Sequence, residues 1–182
     1  MLEISLHILD IVENSTRAGA SVVSIDVIED TALNILSLEI RDNGSGMSRD
    51  VLRKVIDPFF TTKTVRKVGL GLPMLAQAAE TAGGRFAIES KGGEGTRVAA
   101  EFNLSHIDRQ PLGDIAGTLV TLIAGNTGVD FIYRHQHDGQ AYVLDTREIK
   151  KEIEDVPINH VTVLTFIRDH IVEGIKEIGA EA

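Results

Sequence analysis

The residues that could do chemistry begin with an acidic, glycine-rich turn at the end of a predicted strand. Asp42 is followed by Asn43-Gly44-Ser45-Gly46, whose two glycines lack a Cβ and let a flat ring or a water lie against the backbone. A carboxylate at this place can accept a hydrogen bond from an exocyclic amine. Alone, the motif is also ordinary turn chemistry, and we then favour the turn. The motifs described next shift the balance toward a nucleotide pocket.

A polar stripe on the first predicted helix, over residues 2–17, supplies a second set of groups. Its members follow one another at offsets of four, three, four and three, and they are Glu3, His7, Asp10, Asn14 and Arg17. A carboxylate, an amide and a guanidinium in register match what Mg²⁺ and phosphate need, although most such stripes are only solvated faces. We expect His7 to bond Asp10 or solvent.

Two further glycine motifs could approach a ligand. Gly69-Leu70-Gly71 opens a predicted helix, where free N–H groups and the helix dipole favour an anion. Gly95-Thr96 enters a predicted strand, where the hydroxyl could hold a water beside a base. Each motif is equally compatible with a plain loop-to-helix junction or a hairpin turn. Between them and the acidic turn, residues 59–71 show neither helical nor strand period, and we interpret them as a mobile lid.

The elements that must position these groups follow from hydrophobic period. Alternation predicts four strands, over residues 21–28, 33–41, 85–90 and 96–104, with the first two antiparallel. Besides the first helix, a short helix after the N-cap Ser48 and a helix over residues 72–82 are predicted. We therefore expect an α+β domain over residues 1–105.

The chain changes character after Pro111. A helix ends near Gly125, a hairpin turns at Asp138-Gly139, and two helices follow, one to about residue 155 and one over residues 160–178. We expect a small C-terminal helix–hairpin–helix–helix region over residues 111–182. Its His135-x-His137 could share a metal, but surface hairpin residues are the favoured interpretation.

Composition excludes several classes of function. The 182 residues include no cysteine, which rules out disulfides, thiolate metal sites and a cysteine nucleophile. The net charge of −9 argues against nucleic acid as a partner. The richest apolar run is too short to span a bilayer, and the first residues do not resemble a secretory signal. We expect a cytoplasmic protein with neither a nucleic-acid nor a membrane partner.

The motifs together resemble those of the histidine-kinase-like ATPases over residues 1 to about 104. They occur in that family's order: Asp10-x-x-x-Asn14, Asp42-Asn43-Gly44-Ser45-Gly46, Pro58-Phe59-Phe60-Thr61-Thr62-Lys63, Gly69-Leu70-Gly71-Leu72 and Gly95-Thr96. The third and fourth look most like sensor histidine kinases, whereas Glu13-Asn14-Ser15 and Met47 look more like MutL. Residues 111–182 are similar to the tail of small stand-alone ATP-binding proteins associated with iron-only hydrogenases.

This resemblance implies a fold, a cofactor set and a base pocket. The fold would be a two-layer α/β sandwich of the Bergerat type, a mixed sheet with helices on one face, and the cofactors would be ATP and Mg²⁺. Asn14 would bind Mg²⁺, and Asp42 would receive the adenine amino group. Gly44, Gly46 and Thr96 would shape the base pocket.

The resemblance also implies phosphate contacts and a catalytic residue. The backbone N–H groups of Gly69, Leu70 and Gly71 would face the phosphates, joined by Arg17 and Lys63. Asp10 stands where ATPase members carry a glutamate that activates water, and its shorter side chain reaches about one methylene less far. Lys67-Val68 occupies the place of a usual Gly-x pair, which predicts a stiffer lid.

The function implied is phosphoryl transfer in trans to a protein partner. The alternative is a slow ATPase that acts as a nucleotide-gated protein-binding switch. The 182 residues do not include a helix resembling the dimerising helix that carries the phosphoacceptor histidine of a sensor kinase, and whether a histidine of this chain is phosphorylated is left open. A homodimer is left open.

Overall fold

Six strands and six helices make up the computed structural model, which describes residues 3–55 and 71–180. In its first part the elements are α1 (Ile4–Arg17), β1 (Val22–Asp30), β2 (Ile35–Asp42), α2 (Arg49–Leu52), α3 (Gly71–Thr81), β3 (Arg85–Lys91) and β4 (Gly95–Asn103). The predicted lid over residues 59–71 lies outside the described residues except for Gly71, as do Lys63, Gly69 and Leu70.

The C-terminal part contains α4 (Ile115–Gly125), β5 (Asp130–His137), β6 (Gln140–Asp145), α5 (Thr146–Glu152) and α6 (Val161–Glu177). Its helices begin at polar N-caps, because a side-chain oxygen or ring nitrogen there accepts a hydrogen bond from a free N–H of the first turn. Asp114 caps α4, Asp145 caps α5 and His160 caps α6. The predicted order of helix, hairpin, helix and helix is the order observed.

All six strands form one mixed sheet in the order β3-β4-β2-β1-β5-β6. β1 and β2 are antiparallel, as predicted, and Val27 lies opposite Leu38. β5 is parallel to β1, and the other neighbouring pairs are antiparallel. The two C-terminal strands therefore extend the sheet that β1–β4 begin, and the division into residues 1–105 and 111–182 stays a prediction.

Burial alternates along the strands, so the sheet has one apolar face. Val23, Ile25 and Val27 of β1 are fully buried, while the residues between them are partly exposed. α1 packs against α3 and α4, and α4 packs against α6, in a helical layer that shares this core. This arrangement is the α+β fold that was predicted. No helix in the described ranges is both long enough and apolar enough to cross a membrane.

The expectation that both hairpin histidines lie on the surface is wrong for His135. Its imidazole is fully buried, with Nε2 2.7 Å from Glu29 Oε1 and Nδ1 2.7 Å from the Tyr133 hydroxyl. Strand period places His135 on the same face as Tyr133, and this face of β5 lies in the core. Both ring nitrogens are satisfied, as burial of a polar ring requires. Within residues 3–55 and 71–180, no group of three potential metal ligands occurs.

Candidate functional site

A cavity of about 450 Å³ opens between α1 and the ends of β2 and β4. Its polar lining consists of Asn14, Ser15, Arg17, Asp42, Ser48 and Thr96. Its apolar and glycine lining consists of Ile11, Ala18, Ile40, Gly46, Met47, Val51, Val55, Gly71, Leu72 and Val98. Mostly apolar walls with a few polar groups are typical of a small-molecule site, and the volume falls within the range of such sites.

Six of the sequence-predicted residues line this cavity: Asn14, Arg17, Asp42, Gly46, Gly71 and Thr96. Gly44 is buried beside it, and its N–H donates to Asp42 Oδ1 at 2.8 Å. The carboxylate of Asp10 lies against Gly71. The cavity thus brings together groups that are up to 82 positions apart in the chain, as the positions of Asn14 and Thr96 show.

The carboxylate of Asp42 is oriented by two donors. Ser15 Oγ donates to Oδ2 at 2.7 Å, and the Gly44 N–H donates to Oδ1. Each oxygen thus accepts one hydrogen bond from the protein and keeps a further lone pair for a ligand. Ser15 is a site residue that the sequence did not single out, because it falls on the apolar face of α1. A hydroxyl within that face was the available signal.

The acidic turn and the turn between β3 and β4 approach each other so closely that only glycine fits at the two contact positions, Gly46 and Gly95. Gly46 has φ +63° and Gly95 has φ +92°, in the left-handed region. A Cβ on Gly46 would lie 2.0 Å from the carbonyl oxygen of Lys91, and one on Gly95 would lie 2.0 Å from that of Asp42. The two glycines therefore permit the close approach of the two turns beside the cavity, which Gly46 lines.

Ser90 joins these two turns by hydrogen bonds. Its hydroxyl lies 2.9 Å from Thr96 Oγ1, donates to the Gly95 carbonyl at 2.9 Å and accepts from the Met47 N–H at 2.8 Å. Thr96 is paired with Asp42 across β2 and β4. The predicted proximity of Thr96 to the acidic turn is observed, and the positioning role of Ser90 was not predicted.

On α1, the amide and guanidinium of the polar stripe bond each other. Arg17 Nη1 donates to Asn14 Oδ1 at 3.2 Å, and Nη2 forms an ion pair with Glu13 Oε2 at 2.5 Å. The Arg17 side chain is half exposed, so both contacts are open to exchange with solvent. Asn14 Oδ1 accepts this one hydrogen bond and keeps a second lone pair for a ligand.

Asp10 meets the first turn of α3. A Cβ added to Gly71 would lie only 1.6 Å from Asp10 Oδ2, so glycine is required for this approach. The N-terminal turn of a helix carries free N–H groups and a positive partial charge, which favour a carboxylate nearby. The Asp10 carboxylate is therefore adjacent to the N-terminus of α3, whose first residue, Gly71, lines the cavity.

The expectation that His7 bonds Asp10 or solvent is wrong. His7 is fully buried, and its Nε2 lies 2.9 Å from Gln110 Oε1. Its Nδ1 has no hydrogen-bond partner among the described residues. Burial lowers the pKa of His7, and the hydrogen bond to Gln110 opposes that effect. His7 therefore differs from the rest of the polar stripe on α1: it bonds Gln110, and the next two residues, Pro111 and Leu112, accept hydrogen bonds from the start of α1.

Comparison with known proteins shows which family model fits the chain. Residues 3–106, more than half of the chain, match the model described as "Histidine kinase-, DNA gyrase B-, and HSP90-like ATPase". A putative sensor protein of Shewanella frigidimarina is 32% identical over 103 residues, which are 56% of this chain and 16% of that protein. Sporulation kinase C of Bacillus subtilis is 30% identical over 90 residues, 48% of this chain and 20% of that protein. The chain thus spans a fifth or less of these relatives.

Solved structures share the fold at low identity. The Aquifex aeolicus MutL ATPase domain complexed with ADP aligns with a TM-score of 0.55 and 15% identity, over 85% of this chain and 68% of that one. The N-terminal domain of a DNA repair protein aligns with a TM-score of 0.56 and 16% identity, over 80% of this chain and 53% of that one. Coverage of 80% of this chain is more than residues 1–106 can supply, so the likeness in fold includes C-terminal elements.

Proposed function

Because the chain belongs to the family of histidine kinase-, DNA gyrase B- and HSP90-like ATPases, for which ATP is the implied ligand, we propose that it binds Mg-ATP and transfers the γ-phosphoryl group to a protein partner. The observation that supports this best is the convergence of six motif residues on one cavity around the oriented carboxylate of Asp42. A carboxylate held by two donors in an apolar cavity suits the amino group of adenine.

The proposed ligand contacts divide into a base end and a phosphate end. Asp42 accepts a hydrogen bond from the adenine amino group, Thr96 holds a water beside the base, and Gly44 and Gly46 keep the walls close. At the other end, Gly71 with Gly69 and Leu70 presents N–H groups to the phosphates. Arg17 and Lys63 add positive charge there.

Asn14 fits a magnesium site because its amide oxygen is a hard ligand that faces the cavity. The bound cation would neutralise phosphate charge. Asn14 Oδ1 would bind the cation through its second lone pair. Arg17 would then turn toward the phosphates, where a guanidinium has a stronger partner than an amide oxygen.

The reaction itself needs positioning more than covalent chemistry. A nucleophilic oxygen or nitrogen of the partner attacks the γ-phosphorus, the bond from that phosphorus to the β–γ bridging oxygen breaks, and ADP leaves with the electron pair. The proton of the nucleophile passes to Asp10 or to solvent. The approach of the Asp10 carboxylate to Gly71, the first residue of α3, supports this role.

A second function is favoured by the same placement of Asp10. If a water occupies the place of the partner's nucleophile, Asp10 accepts its proton, and the product is free phosphate. The protein would then be a slow ATPase whose nucleotide state changes its affinity for a partner.

The fate of the γ-phosphoryl group separates the two functions. The chain is incubated with γ-labelled ATP and Mg²⁺ in extract of the source cells, and labelled proteins are separated from free phosphate. We expect label on a protein other than this chain, absent when Asp42→Asn replaces the wild type. Free phosphate as the sole labelled product would reject transfer and favour the ATPase.

Asn14→Ala should keep the fold and lose the magnesium-dependent part of nucleotide stabilisation. Ligand that binds only the folded state raises the melting temperature by mass action. We expect a large melting shift for wild type with ATP and Mg²⁺, reduced by EDTA, and for Asn14→Ala a small shift that EDTA does not change. The matched control is Asn159→Ala, an exposed amide remote from the cavity. Equal magnesium-dependent shifts in Asn14→Ala and wild type would contradict the assignment.

A further inference from the structure

The outermost strand of the sheet, β6, pairs with β5 on one side and with no other strand of residues 3–55 and 71–180. Ala141 and Val143 are exposed, with Val143 at 54% of its full accessibility. The outer side of an edge strand presents unpaired N–H and C=O groups, which can pair with another strand. The groups available for pairing depend on which residues of β6 direct their backbone N–H and C=O groups away from β5.

Hydrogen bonds on both sides of β5 define this direction. The Asp130 N–H donates to the carbonyl of Ser21, next to β1, at 2.8 Å. The Phe131 N–H donates to Thr146 Oγ1, on the β6 side, at 2.8 Å. Because backbone groups alternate in direction along a strand, odd-numbered residues of β5 bond toward β6.

In β6 the residues opposite these odd-numbered ones are Leu144 and Tyr142, which pair with Tyr133 and His135. Tyr142 and Leu144 therefore direct their N–H and C=O groups to β5. Alternation leaves Ala141 and Val143 with both groups directed away from the sheet. The outward N–H and C=O groups of these two alternate residues form a template for an added strand.

β6 lacks the proline and lysine residues that protect many sheet edges. Residues 140–145 contain no proline and no lysine, and their one charge, Asp145, is paired with Arg147 at 2.6 Å. The opposite edge of the sheet, β3, shows what protection looks like in this chain, with the exposed charged residues Arg85, Glu89 and Lys91. β6 is the neutral edge of a chain with net charge −9.

Apolar side chains flank the edge on the helical side as well. The Tyr142 hydroxyl lies 2.7 Å from His170 Nδ1, and the rings of Phe166 and His170 are 5.7 Å apart. Phe166 is 59% exposed. α6 lies close above β6 here, because a Cβ on Gly174 would lie 2.1 Å from the Tyr142 ring.

We propose that β6 is the interface of a homodimer, in which the β6 strands of two copies pair antiparallel about a two-fold axis at Val143. This register joins the outward groups of Val143 to those of the partner's Val143. It also places Ala141 opposite the partner's Asp145 and Tyr142 opposite the partner's Leu144. Like charges directly opposite each other would destabilise a pair of strands, and this register contains none. The two sheets become one, and neither copy keeps an open β6 edge.

The interface is separate from the nucleotide cavity. β6 lies three strands from β2, which is roughly 14 Å at the usual strand spacing. Dimerisation therefore does not depend on the proposed function, and variants at Val143 should bind nucleotide like the wild type.

The test is the solution mass of the full chain, measured by light scattering and sedimentation over a range of concentrations. We expect wild type at twice the 19.7 kDa of one chain. Val143→Lys and Val143→Glu should each be monomeric, because like charges meet at the axis. A mixture of the two variants should regain the dimer, because opposite charges then face each other. Ala141→Pro removes one outward donor without adding charge and should also weaken the dimer.

Val172→Lys is the matched control, since Val172 is an exposed valine of α6, at 44% of its full accessibility. It should stay dimeric. Circular dichroism verifies that each variant is folded. Monomeric wild type at all concentrations, a dimeric Val143→Lys, or a mixture of the Lys and Glu variants that stays monomeric would each overturn the proposal. Monomeric wild type together with capture of an extended peptide would assign the β6 edge to another protein.

Discussion

Asp42→Asn should lower the affinity for ATP by about 10- to 100-fold, because a hydrogen bond to a charged group is worth about 1.5–3 kcal/mol. In the wild type both carboxylate oxygens accept from the protein, Oδ2 from Ser15 and Oδ1 from Gly44, and both can accept again. An amide has a single acceptor atom. Its NH₂ would face either the protein donors or the adenine amino group, and a donor would meet a donor.

Calorimetric titration with ATP and GTP measures this effect. GTP should bind the wild type worse than ATP, because its ring presents a carbonyl where adenine carries the amino group. The matched control is Asp169→Asn, an exposed carboxylate on α6, which should bind ATP as the wild type does. ATP affinity that is the same in Asp42→Asn and wild type would remove the basis of the pocket assignment.

Asp10→Asn should separate binding from turnover. We expect partner-independent ATP hydrolysis to fall by at least about 100-fold, the usual contribution of a positioned base. ATP affinity should stay nearly unchanged, because Asp10 lies at the first turn of α3 and not at the base end of the cavity. If the hydrolytic role is limited by side-chain length, Asp10→Glu should match or exceed the wild type.

Transfer to a partner should respond differently to the same substitution. The partner's side chain is then the nucleophile, so Asp10→Asn should keep much of the label transfer while losing hydrolysis. Phosphate release and label transfer are measured on the same samples, with Asp169→Asn as the unaffected control. Strong wild-type hydrolysis that Asp10→Asn abolishes, with no labelled partner in extract, would favour the ATPase over the kinase.

The sequence by itself determined the local elements and the faces of most of them. The alternation of Leu36, Leu38 and Ile40 with polar residues specifies β2 and places Asp42 at its end, and the structure has this strand. The spacing of Asn14 and Arg17 on α1 predicted neighbours, and they bond each other. These predictions succeeded because backbone period and turn chemistry act between residues close in sequence.

Residues that belong together only after folding were not predictable in the same way. A hydroxyl on the apolar face of α1 distinguishes Ser15, but no local pattern identifies Asp42 as its partner, because 27 positions separate them. Ser90 likewise joins two turns that no local pattern relates. Their positions depend on strand register, which the whole sheet decides.

Tertiary structure alone decided what covers each face. Helical and strand period predict the faces on which His7 and His135 lie, yet both side chains are buried. His7 is buried by the segment around Gln110, and His135 by the core above β5. The parallel pairing of β5 with β1 has no local signal either. Local sequence sets dihedral angles and side-chain direction, whereas burial of apolar area among distant elements selects which face is enclosed and which strand is left at the edge.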